Sequence, residues 1–205
     1  MKTKFTPLPL VFATVVGLCL TNCTADKKEK ANATLNEVTH TEESEATVQV
    51  DPQFQVDNSF KEQLAAMFKT YIELKDAFVA SDVTQVKTRA ANVRQALKGI
   101  DMTLLSGAAH SDWMNFHSSI NLSLKEIESS TDIETQRNAF SDLSETLYKT
   151  MHAFGYDGNT IYYQYCPMAF NNEGAYWLSD QEQIRNPYFG DKMLTCGSVK
   201  EKFGK

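Results

Sequence analysis

Residues 59–78, SFKEQLAAMFKTYIELKDAF, decide the fold class of this chain. Their large apolar side chains recur at steps of three and four, a spacing that places them on one face of an α-helix. Ser59 followed three residues later by Glu62 is typical of a capping box at a helix start. The segment therefore predicts an amphipathic helix whose buried face carries Phe60, Leu64, Met67, Phe68, Tyr71, Leu74 and Phe78.

The same spacing returns three more times before residue 156. Asp82 offers a cap for the second helix, and Thr131 with Glu134 forms a second capping box at the start of the fourth. Four helices with short connections predict an antiparallel four-helix bundle over residues 58–156, large enough for one hydrophobic core. We interpret three methionines as core-filling residues rather than ligands: Met67, Met114 and Met151.

Residues 157–205 break this helical period and are rich in aromatic residues and turn formers. Alternation over residues 161–165 suggests a strand, and residues 171–174, NNEG, suggest a turn that returns the chain. A segment of this size is too small to be stable alone, so we expect it to pack on the bundle. The predicted fold is all-α, with a C-terminal extended or β-hairpin segment that contains the cysteines and methionines discussed below.

The start of the chain predicts export. A basic beginning is followed by an apolar run over residues 8–20, which is shorter than the roughly 20 residues that span a bilayer, so residues 1–22 are expected to be a cleaved signal peptide. Residues 20–23, LTNC, resemble the lipobox of bacterial lipoproteins, which implies that Cys23 is lipidated; an ordinary secretion signal is the alternative. Residues 23–57 contain few large apolar residues and are expected to form a flexible tether.

Charge and motif content exclude several classes of function. Removing residues 1–22 takes away two of the 20 basic residues and none of the 26 acidic ones, which leaves a formal charge of −8. Nucleic acid is bound by clustered Lys and Arg, and this chain has no such cluster beyond residues 27–30, KKEK, so we expect no nucleic-acid partner. No phosphate-binding glycine loop, His-Glu-x-x-His motif or nucleophile elbow is present, and we do not expect an enzyme.

Two cysteines remain for the folded domain, because Cys19 lies in the signal peptide and Cys23 carries lipid. Residues 166–168, CPM, and 193–196, MLTC, place two thiols and two thioethers in mirrored order. Soft sulfur ligands favour monovalent copper or silver. The spacing alone leaves metal binding and a plain disulfide equally open. The candidate ligands are Cys166, Met168, Met193 and Cys196, with His152 as a weaker accessory candidate.

The C-terminal segment resembles the domain of unknown function 3347 family. The resemblance is carried by residues 163–169, YQYCPMA, by residues 174–179, GAYWLS, by residues 184–190, IRNPYFG, and by residues 193–197, MLTCG. With the helices it covers roughly residues 58–200. The family occurs in exported Bacteroidetes proteins and is appended to periplasmic adaptors of copper and silver efflux pumps. Many relatives have histidine where this chain has Tyr165, which implies an all-sulfur site here.

The resemblance implies a lipid-anchored protein in the periplasm or at the cell surface, attached to the membrane through lipid only. It would bind copper(I) or silver(I) for metal resistance, buffering or delivery to efflux, with a heavy-metal efflux adaptor as partner. The alternative is a protein-interaction module without metal, in which a structural disulfide joins Cys166 and Cys196. In that case exposed aromatic residues would contact the partner, and the candidates are Trp177, Tyr188 and Phe189.

Overall fold

The computed structural model describes residues 51–204, which are mostly helical with a small antiparallel sheet at the C-terminal end. The four long helices are α1 (Asn58–Val79), α2 (Val83–Lys98), α3 (Gly107–Ser129) and α4 (Ile133–Phe154), and the strands are β1 (Ile161–Cys166), β2 (Ala175–Ser179) and β3 (Ser198–Phe203). The predicted signal peptide, Cys23 and the tether up to residue 50 lie outside the described residues. Among residues 51–204, no helix is long and apolar enough to cross a membrane.

The helices share one hydrophobic core built from their predicted apolar faces. All seven residues named for α1 are buried. Aromatic rings join α1 to α4, since Phe140 lies 5.4 Å from Tyr71 and 4.5 Å from Phe78 between ring centroids. Met67 and Met151 fill the core as predicted, but the prediction for Met114 is wrong, because its side chain is 40% exposed on α3.

Aspartate carboxylates, not the predicted capping boxes, begin three of the helices. Asp57 accepts a hydrogen bond from Ser59 N at 2.7 Å at the start of α1. Asp132 accepts from Thr135 N at 2.8 Å at the start of α4. The prediction for Asp82 at the start of α2 is confirmed. A short carboxylate just outside the first turn reaches its free N–H groups directly, so the Ser and Thr boxes are not used.

The three strands form a sheet in the order β2-β1-β3, with both pairs antiparallel. The predicted hairpin is confirmed as β1 and β2, in which Cys166 lies opposite Ala175. The prediction omitted β3, which runs along the other edge of β1 with Phe203 opposite Ile161. The sheet therefore has three strands, whereas the sequence predicted two.

Tyr71 on α1 joins the helices to the free edge of β2. Its buried hydroxyl accepts a hydrogen bond from Leu178 N at 3.1 Å and lies 2.7 Å from Ser144 Oγ on α4. An edge strand leaves backbone N–H groups without a partner strand. Tyr71 therefore satisfies one of these groups inside the core and holds β2 against α1 and α4.

Arg137 on α4 joins the loop after β2 to the turn between α1 and α2. The buried guanidinium donates to Pro187 O at 3.0 Å, to Ser81 Oγ at 3.0 Å and to Glu134 Oε1 at 2.7 Å. Gly190 closes the same junction with φ +55°, and a Cβ there would lie 2.8 Å from Val79 O. The close backbone approach therefore requires glycine.

The last residues of the predicted tether contact the end of α4. Phe54 N donates to Ala153 O at 2.8 Å, and the ring of Phe54 lies 5.4 Å from that of Phe154. Gln53 N donates to His152 O at 3.4 Å. The chain is therefore already packed on the helical domain before α1 begins.

Candidate metal centre

Two thiols that are far apart in sequence meet at one end of the sheet. Cys166 ends β1, and Cys196 lies in the loop that leads into β3. Their Sγ atoms are 2.8 Å apart, and both cysteines are free. The sequence named these two residues as a pair, and the structure brings them together.

The separation of the two sulfur atoms lies between the values for two kinds of bridge. A disulfide needs about 2.05 Å. An ion held linearly between two thiolates needs roughly 4.6 Å, taking a sulfur–metal bond of about 2.3 Å from zinc sites as a guide. The pair at 2.8 Å is closer to the disulfide distance, so a bound ion would require the sulfur atoms to move apart.

Asn186 fixes the loop that carries Cys196. This fully buried residue donates from Nδ2 to Cys196 O at 2.8 Å, and its backbone N–H donates to Leu194 O at 2.8 Å. Cys196 N in turn donates to Met193 O at 3.0 Å. The loop therefore presents the thiol of Cys196 to β1 through its own hydrogen bonds.

The surroundings of Cys196 favour the protonated thiol. The pKa of Cys196 is raised to about 11, mainly by burial and also by the adjacent Cys166, while a hydrogen bond from the backbone N–H of Met168 opposes the rise. At neutral pH the thiol therefore keeps its proton. A metal ion would have to displace that proton, because the thiolate is the ligand.

The two predicted thioether residues flank Cys196 from different segments. Met168 contacts the Cys196 thiol through its backbone N–H, and its side chain is 46% exposed. Met193 contacts Cys196 through its carbonyl group and is half-buried. All four predicted sulfur residues therefore lie in one neighbourhood.

The accessory candidate His152 lies elsewhere. Its Nε2 atom is 3.3 Å from Glu201 Oε1, and its ring contacts those of Tyr148 and Phe203. Phe203 pairs with the first residue of β1, whereas Cys166 is the last residue of that strand. Five strand residues span about 16 Å, so the structure does not bring His152 to the thiols.

Within residues 51–204, no group of three or more His, Cys, Asp or Glu side chains is placed to hold a metal ion. The donors predicted from the sequence at the thiol pair are the two cysteines and the thioether sulfur of Met168 and Met193. That donor set fits a soft monovalent ion rather than a hard cation that prefers oxygen ligands.

The pattern of sulfur residues in the sequence did not predict the buried polar side chains on β1 and β2 near the thiol pair. Gln164 and Trp177 lie opposite each other on β1 and β2 and are fully buried. Gln164 Oε1 and Trp177 Nε1 have no hydrogen-bond partner. A Cβ on Gly197, the residue after Cys196, would lie 2.9 Å from the Trp177 ring. Side chains two positions apart on a strand share a face, so the alternation of β1 could have predicted that Gln164 lies on the same face as Cys166.

Residues 67–159 match the model of a family described as Protein of unknown function (DUF3347). Over these residues the chain is similar to this family, and the match supports the resemblance noted from the sequence. The match begins within α1 and stops before β1, so the DUF3347 match leaves out the Cys/Met segment that suggested the resemblance. The comparison with curated proteins and that with solved structures each gave no match.

Proposed function

We propose that this chain is a lipid-anchored protein of the periplasm or cell surface that binds copper(I) or silver(I) through Cys166 and Cys196. Its roles would be metal resistance, buffering or delivery to an efflux system, with a heavy-metal efflux adaptor as partner. In this proposal the four helices form an antiparallel bundle that supports the site. The observation that carries the proposal is the meeting of two free thiols between two methionine-bearing segments.

Binding would proceed by exchange of protons for metal. Each thiol gives up its proton to solvent as its sulfur binds the ion, and no oxidation state changes. The two sulfur atoms would separate from 2.8 Å to roughly 4.6 Å for linear coordination. Because Cys166 ends a strand inside the sheet, we expect the loop that carries Cys196 to move.

The test is a copper(I) titration of the reduced chain against a competing chelator. The chain carries Cys19→Ser and Cys23→Ser, so that Cys166 and Cys196 are the only thiols. We expect tight binding of one ion per chain, and loss of tight binding in Cys166→Ser/Cys196→Ser with an unchanged helical circular dichroism signal. Met114→Leu, which removes an exposed thioether from α3, is the matched control and should bind normally. Unchanged affinity in the double cysteine variant would refute the assignment.

A second candidate is a protein-interaction module stabilised by a Cys166–Cys196 disulfide. It is favoured by the short distance between the sulfur atoms. The disulfide would close a loop of about 30 residues and stabilise the fold by roughly 3–4 kcal/mol in the chain-entropy model. However, Trp177 and Tyr188 are buried and Phe189 is half-buried, so the aromatic residues suggested for a partner are largely occupied by packing.

Counting free thiols in protein taken from its own compartment separates the two candidates. Two reactive thiols per chain after denaturation under an alkylating trap would support the metal proposal. A complete absence of reactive thiols would favour the disulfide, because an oxidising compartment then keeps the pair closed.

A further inference from the structure

The sulfur residues of the candidate site differ in their access to solvent. Cys166 is fully buried, Cys196 is half-buried, and Met168 is 46% exposed. The backbone N–H of Met168 donates to the Cys196 thiol. Met168 therefore lies directly beside the thiol pair while its own side chain reaches solvent.

The backbone around Met168 is held in an unusual conformation. Phe170, Asn171 and Asn172 follow with φ values of 50°, 57° and 71°. For a bulky residue such as Phe170 a positive φ is strained and persists only where the surroundings enforce it. The ring of Phe170 packs edge-on against Tyr188 at 5.3 Å, and Ala169 is fully buried.

This packing fixes the segment on which Met168 sits. Residues 167 and 168 are exposed, whereas the residues on either side of them, Cys166 and Ala169, are both fully buried. Met168 therefore has little freedom to fold inward with its neighbours.

From this arrangement we infer that Met168 is the first ligand for the incoming ion, which it then passes to Cys196 and Cys166. The inference rests on the proposed function. A thioether has no proton to lose, so it binds copper(I) or silver(I) without waiting for deprotonation. In the next step the Cys196 thiol loses its proton to solvent and the thiolate binds the ion, displacing a ligand that the ion carried in. Met168 therefore sets the rate of capture.

Met193 provides the contrast, because its carbonyl group accepts a hydrogen bond from the backbone N–H of Cys196 and the residue is half-buried. Of these two methionines, Met168 alone is among the exposed large apolar residues. If any nearby thioether sufficed, the two residues would have equal effects on capture. If access decides, Met168 has the larger effect on the rate of capture.

The experiment is stopped-flow transfer of copper(I) from its bicinchoninic acid complex to the reduced chain with Cys19→Ser and Cys23→Ser. We expect Met168→Leu to slow capture at least tenfold while the equilibrium affinity changes less than threefold. Met193→Leu should slow capture clearly less than Met168→Leu does.

The outcomes are distinguishable. Equal capture rates in Met168→Leu and the parent chain, with tight binding retained, would overturn the role of Met168 and leave the proposed function standing. Equal slowing in both methionine variants would overturn the dependence on access. No copper(I) binding by the parent chain would overturn the proposed function, and the role of Met168 with it.

Discussion

Replacing Tyr71 by phenylalanine tests how the sheet is held on the helices. The substitution keeps the ring in the core and removes only the hydroxyl, which accepts a hydrogen bond from Leu178 N at 3.1 Å. Leu178 is fully buried on β2, so water cannot replace the lost acceptor. Ser144 Oγ still donates to Phe140 O at 2.7 Å, which limits the loss on that side.

The expected cost is therefore set mainly by one buried N–H group without a partner. Such a group costs about 1–3 kcal/mol, and we expect the free energy of unfolding to fall by about 2 kcal/mol. Because Leu178 N loses its acceptor, amide exchange at Leu178 should also become faster.

Urea denaturation followed by circular dichroism measures the change in free energy of unfolding. Tyr162→Phe makes the same chemical change at a half-buried tyrosine on β1, and we expect an effect within about 0.5 kcal/mol. A double-mutant cycle with Ser144→Ala isolates the hydroxyl pair. A loss below 0.5 kcal/mol in Tyr71→Phe, or a loss equal to that of the control, would refute this account of how β2 is held.

Three further predictions concern the junctions around the sheet. Gly190→Ala should destabilise the fold by about 2–4 kcal/mol, and the control Gly107→Ala by about 1–2 kcal/mol. Both glycines have a positive φ, but only Gly190 lacks space for a Cβ. Equal losses in thermal or urea unfolding would contradict the steric argument. Arg137→Met should lower the free energy of unfolding by about 1–3 kcal/mol because the buried carbonyl of Pro187 loses its donor, whereas Arg89→Met breaks an exposed pair and should cost less than about 1 kcal/mol. Burial lowers the pKa of His152 below 6.5 and outweighs the opposing effect of the Glu201 carboxylate. As pH drops below 6.5 the unfolded chain therefore binds a proton more readily than the folded chain, and the free energy of unfolding should fall. Urea unfolding at several pH values should show this slope in the parent chain and a smaller one in His152→Gln.

The helical part of the fold could be predicted because its signal is local. An apolar stripe at steps of three and four is a property of consecutive residues, and all seven residues that it predicted for the core side of α1 are buried. The prediction for Met114 failed because the size and polarity of a side chain do not show which face of its helix a neighbouring element covers. The caps by Asp57 and Asp132 were missed because several polar residues compete at each of these helix starts, and geometry decides between them.

The sheet could be predicted only in part. The hairpin of β1 and β2 is contiguous in sequence, so alternation and a turn were enough to find it. β3 is separated from β1 by the whole loop that carries Cys196, and its exposed lysines hide the alternation of Val199, Glu201 and Phe203. Pairing between distant segments depends on the packed structure, which a local pattern does not contain.

The candidate site shows the same division. The sequence by itself determined the helices, the hairpin and the four sulfur residues, because residue type and local spacing are properties of the chain. Only the tertiary structure decided that Cys166 and Cys196 meet at 2.8 Å, that Asn186 fixes their loop, and that His152 stays with Glu201. These relations join residues far apart in the chain, and they exist only once the sheet has closed on the helices and the loops have made their hydrogen bonds.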